Sequence, residues 1–243
     1  MRNQVNSMPQ SSAPAAVEVN TLQVEAARYA VIRRLAPCLH HHMVRPLQPI
    51  GLIYGVMQHK LGIAAPDLKS VREEADKINE FAKAALDECS DISSWLAPEP
   101  GVAVRADEAV RECVGLLATM LHFCGFRLSN EIDELSVAVN QSAVRMVLSA
   151  ALLEMTDSMG QQAPLRISAD ASEEDVTITL EFGPGQDNRA NRYDENYRKL
   201  VWDDVQALAS AEQVGLSRQD RRVVLRFPVA VRTLTPALSS MMH

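Results

Sequence analysis

The sequence is poor in aromatic residues and in cysteine. Phe, Trp and Tyr make up 5% of its 243 residues, and its four cysteines are Cys38, Cys89, Cys113 and Cys124. No two of them form a CxxC pair, and all four fall in helical, mostly apolar contexts. This arrangement predicts buried free thiols in a reducing compartment.

The chain also lacks long apolar runs and clusters of basic residues. No stretch approaches the roughly 20 consecutive apolar residues that a membrane-spanning helix needs, and the first residues do not have the apolar core of a secretory signal. The formal net charge is −7 at pH 7, and no basic run is interleaved with aromatic residues. We therefore expect a cytoplasmic protein with no nucleic-acid partner and no membrane partner.

The sequence does contain enough apolar material for two modest domains, since 47% of its residues are hydrophobic. Residues 1–19 are rich in Ser, Pro, Ala, Gln and Asn, which predicts a disordered tail. A helix is predicted from Asn20, a suitable N-cap, to Leu61. Pro37, Pro46 and Pro49 fall inside this helix and predict either a bent rod or two helices joined by a loop.

Apolar residues in the predicted helix recur at alternating steps of three and four. They are Leu22, Tyr29, Ile32, Ala36, Leu39, Met43, Pro46, Ile50, Ile53 and Met57, with Glu25 in the one polar slot. Such a heptad seam is typical of a helix packed in a bundle or a coiled coil.

Three consecutive histidines, His40, His41 and His42, lie beside this seam. Because each helical residue advances by about 100°, His41 points away from the seam and shares its face with Arg34 and Arg45. A neutral imidazole is a nucleophile, and arginine offers donors suited to phosphate oxygens. The face therefore predicts phosphoryl transfer onto and off His41, with His40 or His42 as the acceptor if the helical register slips. Consecutive helix residues fan out, so no metal site is expected at the three histidines.

The run His41-His42-Met43-Val44-Arg45-Pro46-Leu47 resembles the H-box of two-component histidine kinases. In that family a phospho-accepting histidine is followed by an acid, a leucine, two polar residues and then Pro-Leu. The resemblance implies that His41 is the acceptor, and Arg45, Arg34 and His42 are expected to support it. His42 stands where the family has the acid that helps the attack on ATP, which speaks against autokinase activity.

A second helix is predicted after a turn at residues 64–67, because apolar residues again keep steps of three and four for about four heptads. They are Leu68, Val71, Ala75, Ile78, Ala82, Ala85, Cys89, Ile92 and Leu96. Two helices joined by a short loop make an antiparallel hairpin. A single hairpin has too little partner surface to cover its seams. Residues 20–97 are therefore predicted to form a homodimer closed by a four-helix bundle.

Pro98 and Pro100 mark a domain boundary, after which short strands alternate with helices. Strands are predicted at 102–104, 127–132, 135–139, 165–169, 176–182, 214–217 and 223–229, and helices at 107–124, 141–159 and 195–211. This order predicts an antiparallel or mixed sheet with three helices on one face, an α/β sandwich over residues 101–232, followed by a tail at 233–243. The fold class of the whole chain is thus predicted to be α+β.

The order of these elements resembles the ATP-binding domain that histidine kinases share with gyrase-type and chaperone-type ATPases. Ala150 and Glu154 fall where the N-box of that family has two asparagines, of which the second binds magnesium. Asp157 matches the aspartate that follows them. The resemblance therefore implies a related domain whose magnesium ligand has been replaced.

Two further boxes of that family are altered. Glu181, Gly183 and Gly185 match its Asp-x-Gly-x-Gly box, with a glutamate in place of the aspartate that reads adenine. The last glycine-rich box should lie at residues 191–197, which contain no glycine. Side chains there would block the close approach of backbone amides to a triphosphate. The three altered boxes together imply a degenerate domain that holds neither nucleotide nor metal.

The resemblance implies a histidine phosphotransferase of a two-component phosphorelay. It would take a phosphoryl group from the phospho-aspartate of a response-regulator receiver domain onto His41 and pass it to a second receiver. The magnesium would belong to the receiver, so no cofactor is expected in this chain. Two alternatives stay open: a divergent ATP-dependent histidine kinase that uses Glu154 for metal, and a non-catalytic dimeric docking or regulatory protein.

Overall fold

The computed structural model describes residues 13–185 and 198–230 and has an α+β fold. Three helices come first: α1 (Ala13–Val44), α2 (Gln48–Leu61) and α3 (Leu68–Leu96). The first of them begins ahead of the predicted start at Asn20, so the end of the predicted tail is helical. Residues 1–12 of that tail, and all of the tail predicted at 233–243, lie outside the described residues. No helix in the described part of the chain is both long enough and apolar enough to cross a membrane.

A short turn around Pro46 separates α1 from α2. The first helix continues through Pro37 and ends at Val44, and the second begins at Gln48 with Pro49 in its first turn. Proline has no N–H and its ring clashes with the preceding helical turn, which explains the break at Pro46. Pro49 is tolerated in the first turn of α2, because the backbone N–H groups of a first turn have no partner within the helix. Of the two predicted forms, the structure has two helices joined by a loop.

The second and third helices pack side by side in opposite directions. Near the tip of this pair, Lys60 Nζ lies 2.8 Å from Glu74 Oε1. Near its base, His42 Nδ1, at the end of α1, lies 3.1 Å from Glu88 Oε1 on α3. No residue of α2 is buried, and the buried residues of α3 are Ala85, Ile92 and Trp95. Most residues of the predicted seam on these two helices are only partly exposed, and the strongly exposed apolar residues, such as Leu52, Tyr54, Leu61 and Leu86, lie outside it.

The rest of the described chain builds an α/β domain. Its elements are β1 (Ala103–Arg105), α4 (Ala106–Phe123), β2 (Arg127–Asn130), β3 (Ala138–Asn140), α5 (Gln141–Ala143), a π-helical turn (Val144–Leu148), α6 (Ser149–Ser158), β4 (Pro164–Ala171), β5 (Asp175–Phe182), α7 (Trp202–Ala211), β6 (Gly215–Gln219) and β7 (Arg222–Pro228). Five strands form a mixed sheet in the order β2-β4-β5-β7-β6, in which only β2 and β4 are parallel neighbours. The strands β1 and β3 form a separate antiparallel pair.

Alternating apolar residues give the sheet one strongly buried face. In β7, for example, Val223, Leu225 and Phe227 are buried and share one core with residues of α4, α6 and α7. The mixed sheet and the helices packed against it agree with the α+β prediction. The helix predicted at 195–211 is α7, which begins at Trp202, because residues 198–201 are not helical. Residues 195–197 lie outside the described residues.

Helix α1 packs against the α/β domain along residues 24–39. Its buried residues join the core of that domain and are Val24, Ala27, Ala30, Val31, Leu35, Cys38 and Leu39. Leu22 and Tyr29 of the predicted seam are instead 68% and 65% exposed. Apart from Leu39, the predicted seam is not the buried face of this part of the helix, because a second apolar stripe faces the domain.

Candidate functional site

His41 lies in the last turn of α1, just before the break at Pro46. Its side chain is exposed, as is that of His40. Its backbone carbonyl accepts a hydrogen bond from the Arg45 N–H at 3.1 Å. Pro46 has no N–H to offer the next carbonyl, so the regular helix ends here and leaves the His41 ring beside an open turn.

An apolar cleft of about 160 Å³ opens beside His41. It lies between the end of α1 and the last turns of α4, and its lining residues are Pro37, Cys38, His41, His42, Leu116, Thr119, Met120 and Phe123. Phe123 is 67% exposed at its rim. A partner that approaches the His41 ring through this cleft would also contact α4 of the α/β domain.

His42 is half-buried and lies between this cleft and a second cavity. Its ring meets the His41 ring edge-on, with centroids 6.2 Å apart and an interplanar angle of 82°. On its other side, Nδ1 is 3.1 Å from Glu88 Oε1. The second cavity, of about 300 Å³, is lined by both members of this pair and by Arg45 and Arg111. His42 thus links the surroundings of His41 to a carboxylate on α3.

The two predicted arginines have different environments. Arg45 is exposed and lines the second cavity. Arg34 is 5% exposed, and its guanidinium donates to both carboxylate oxygens of Asp157, at 2.6 and 3.0 Å. The prediction that Arg34 stands beside His41 on an open face is therefore wrong. The two residues do share a helical face, but two turns away from His41 that face is covered by α6.

Glu154, the residue at the predicted magnesium position, is buried in an ion pair. Arg218 Nη1 lies 2.9 and 3.0 Å from its two carboxylate oxygens, and Ser158 Oγ donates to it at 2.7 Å. The same guanidinium lies 5.0 Å from the ring centroid of Trp202. The charge of the Glu154 carboxylate is thus neutralised and its position fixed by neighbouring side chains.

The glycines of the second box contact protein atoms. A Cβ atom on Gly183 would lie 2.7 Å from Pro164 Cγ, and one on Gly185 would lie 2.5 Å from Gln161 Oε1. Glu181 is exposed on β5, where it pairs in register with Arg166 and Arg222. Close packing against the Pro164 ring thus accounts for Gly183, whereas the flexible Gln161 side chain could move away from a Cβ at position 185.

The N-terminus of α7 is closed by a side chain of the protein itself. Asp204 is buried, accepts a hydrogen bond from the Val201 N–H at 3.0 Å, and accepts two from Arg198 at 2.6 and 2.7 Å. A helix N-terminus attracts an anion, and here the Asp204 carboxylate fills that place. The glycine-free segment 191–197, which was predicted to replace the last box, lies outside the described residues.

A polar network that the sequence did not reveal joins the base of the hairpin to the domain. Arg145 is buried, donates to Glu112 at 2.6 Å and to Ser94 at 2.9 Å, and lies 4.9 Å from the Trp95 ring centroid. Trp95 Nε1 also donates to Glu112, at 2.7 Å. These partners come from α3, α4 and the π-helical turn, and no periodic pattern relates them in the sequence.

The four cysteines are in no disulfide bond, as predicted, but they are not all buried. Cys38, Cys113 and Cys124 are buried and Cys89 is exposed on α3. Burial raises the pKa of the Cys38 thiol to about 11. Although Cys38 lines the cleft beside His41, its thiol is therefore protonated at neutral pH and is not a nucleophile.

Comparisons with known proteins give structural matches alone. No family model matches the chain, and no curated protein matches its sequence. The histidine kinase AdeS of Acinetobacter baumannii is 14% identical, with 78% of this chain and 98% of that chain covered and a TM-score of 0.40. A structure described as a bacterial phosphotransferase is 13% identical, with 91% and 100% covered and a TM-score of 0.38.

A third match is the complex of the histidine kinase ThkA with the response regulator protein TrrA. It is 14% identical, with 91% of this chain and 67% of that chain covered and a TM-score of 0.39. The structural neighbours thus include histidine kinases, the family that the H-box resembles, at low identity. Likeness of this size assigns no activity to the chain.

Proposed function

We propose that this protein is a histidine phosphotransferase of a two-component phosphorelay, with His41 as the phosphoryl acceptor. The observation that supports it best is the contrast between two places in the molecule. His41 is exposed beside an open cleft, whereas the carboxylate at the predicted metal position is held by Arg218. A relay protein needs the first of these places and not the second.

The proposed reaction begins at the phospho-aspartate of a receiver domain. A ring nitrogen of neutral His41 attacks phosphorus, the P–N bond forms, and the P–O bond to the receiver aspartate breaks with its electrons on the leaving carboxylate. We assign the binding of the phosphoryl oxygens to Arg45, which follows His41 by one helical turn in the sequence. The same steps in reverse pass the group to a second receiver.

The magnesium of this reaction is assigned to the receiver. In the described part of this chain, no group of His, Cys, Asp or Glu residues is arranged to hold a metal ion. The nucleotide positions do not fit ATP either, because Glu154 is paired with Arg218 and Asp204 occupies the N-terminus of α7. We therefore assign no step to a nucleotide bound by this chain.

The hairpin is proposed to pair with that of a second copy. Its exposed apolar residues include Leu52, Tyr54, Leu61, Leu68 and Leu86, whose exposed fractions lie between 42% and 75%. Pairing with a second hairpin in a four-helix bundle would cover this surface, of which Leu68 belongs to the predicted seam and the other four residues flank it. The proposed protein is thus a homodimer that presents two acceptor histidines.

The α/β domain is proposed to act as part of the receiver-binding surface. The end of α4 forms one wall of the cleft beside His41, with Phe123 at the rim. Partly exposed aromatic residues are frequent anchors in protein interfaces. On this proposal the domain that resembles an ATPase contributes contacts and not catalysis.

Transfer of a radiolabelled phosphoryl group tests the proposal. The purified protein is incubated with labelled ATP alone, and separately with a panel of labelled phospho-receivers. We expect label from receivers and none from ATP, and we expect His41→Ala to abolish it. His40→Ala, which alters the neighbouring exposed histidine, is the matched control and should keep the label.

The other outcomes each favour a different function. Label taken directly from ATP would make the chain a histidine kinase. No label in either arm, together with measurable binding of a receiver, would leave a docking protein. Label that survives His41→Ala but not His42→Ala would move the acceptor by one residue.

A further inference from the structure

The hydrogen-bond partner of His42 decides which ring nitrogen carries the proton in the neutral form. A carboxylate only accepts hydrogen bonds, so the 3.1 Å contact between His42 Nδ1 and Glu88 Oε1 requires the ring proton to be on Nδ1. Nε2 is then the basic nitrogen of the neutral ring. The side chains of the pair are 27% and 23% exposed, so the contact is largely sheltered from water.

We propose that Glu88 and His42 form a proton-accepting pair that serves phosphoryl transfer at His41. The inference rests on the proposed function and assigns Glu88, on α3, as a positioning residue for His42. The run of residues that resembles an H-box has no acid after His41. In the folded chain a carboxylate from the neighbouring helix reaches the histidine that stands at that position.

The protons of the transfer step balance through this pair. When one nitrogen of neutral His41 bonds to phosphorus, the other ring nitrogen still carries its proton and the ring becomes cationic. We assign that proton to Nε2 of His42, through a water molecule in the 160 Å³ cleft that both rings line. The resulting imidazolium lies against the Glu88 carboxylate, which stabilises its charge.

The return step uses the same proton. Protonated His42 gives it back to the free nitrogen of the phosphorylated His41 ring, which makes that ring a better leaving group when a receiver aspartate attacks. The pair therefore serves transfer in both directions.

Two other charged groups around His42 have partners of their own. Arg111 Nη2 donates to Asp107 at 3.0 Å, and Glu112 is bonded to Arg145 at 2.6 Å. Arg45 and Asp91 also line the cavity that holds the pair. Among the contacts of the described residues, the carboxylate in hydrogen-bond contact with the His42 ring is that of Glu88.

The test measures single-turnover transfer to His41 and back to a receiver, in wild type, Glu88→Gln and His42→Gln. We expect each variant to slow both directions by the same factor, about tenfold to a hundredfold, as is usual when a hydrogen-bond partner of a functional histidine is removed. The affinity for the receiver should stay unchanged. The double variant should be no slower than His42→Gln alone, because both residues act in one unit.

Asp91→Asn is the matched control, since it removes a carboxylate from the same helix and the same cavity without touching the His42 ring, and it should transfer at the wild-type rate. Nitrogen chemical shifts of the His42 ring add a readout that rate loss through unfolding would not give: Glu88→Gln should shift the ring away from the pure Nδ1–H form.

Three results would contradict the proposed role of the Glu88–His42 pair. Unchanged transfer rates in Glu88→Gln would show that Glu88 has no role in the transfer step. A Glu88→Gln variant that loses only affinity for the receiver would show the same. Labelling that His42→Gln abolishes and His41→Ala spares would make His42 the acceptor. A wild type that takes no label from any receiver would reject the proposed function itself. A wild type that is labelled, together with a Glu88→Gln variant that transfers equally fast, would reject only the role of the Glu88–His42 pair.

Discussion

Arg34 and Asp157 form a bidentate ion pair that ties the helix carrying the candidate acceptor to the α/β domain. The two N–O distances are 2.6 and 3.0 Å, and the side chains are 6% and 16% exposed. A second pair, Arg28 with Glu212, joins the same helix to the turn after α7 at 2.9 Å. Together with the buried face of α1, these contacts hold the domain in one position relative to His41.

The buried pair predicts a large loss of stability when one partner is removed. Asp157→Asn leaves the Arg34 guanidinium buried without a counter-charge, which typically destabilises a protein by about 3–5 kcal/mol. Urea unfolding should show this as a lower midpoint. Arg28→Met, whose guanidinium is more exposed, is the control and should change the free energy of unfolding by less than about 1 kcal/mol. A wild-type midpoint for Asp157→Asn would contradict the role assigned to this pair.

Nucleotide should not stabilise the protein. A ligand present at 100 times its Kd adds about 2.7 kcal/mol to the stability of the folded state, which raises the Tm of a protein of this size by several degrees. Because Glu154 is paired with Arg218 and the Asp204 carboxylate lies at the N-terminus of α7, we expect the same Tm with and without millimolar Mg·ATP. A saturable rise in Tm that requires magnesium would show a working site.

Charge on the open face of the hairpin should separate the proposed dimer. Leu52→Glu and Leu86→Glu place carboxylates at side chains that are 75% and 71% exposed in one copy, so they should leave the fold intact and prevent the pairing of hairpins. Light scattering after gel filtration should give the dimer mass for wild type and the monomer mass for the variants. Val201→Glu, at a position 53% exposed outside the hairpin, should remain dimeric. A monomeric wild type would reject the four-helix bundle.

Stability should fall at low pH partly through Asp107. The Arg105 guanidinium, at 3.0 and 3.1 Å, and then Arg111 hold the pKa of this carboxyl below its usual range, against the opposing effect of burial. Since the folded pKa is the lower one, the ionised group stabilises the fold fully above its unfolded pKa, and this contribution disappears as pH falls through the folded pKa.

The measurement is the free energy of unfolding in urea from about pH 6 to pH 3, where carboxyl groups titrate. The difference between wild type and Asp107→Asn should shrink as pH is lowered. Asp170→Asn, at an exposed position on β4, should give no such trend. A difference that stays constant over the range would contradict the ion-pair explanation.

Much of the fold could be predicted because the signals are local. Helix α3 has the bounds that its heptads and Asp67 indicate, and β5 and β7 follow the alternation of apolar residues. The error in α1 has a physical cause. Steps of three and four mark an apolar stripe but do not say what covers it, and the residues of a second stripe, such as Val24 and Val31, are the ones that the α/β domain buries.

The polar contacts of the candidate site could not be predicted from the sequence, for a different reason. Glu88 lies 46 residues from His42, and Arg218 lies 64 residues from Glu154. Ion pairs of this kind form between side chains that the fold brings together, and they leave no spacing in the sequence. The sequence could therefore point to His41 and to the altered boxes, but not to the groups that neutralise Glu154 or hold His42.

The packing of α1 on the α/β domain has an evolutionary consequence. A substitution in the cores of α6 or α7 displaces the surface on which α1 rests, and with it the ring of His41 at the far end of that helix. If His41 is the acceptor, selection for an accurately placed ring would therefore also act on interior residues of the α/β domain.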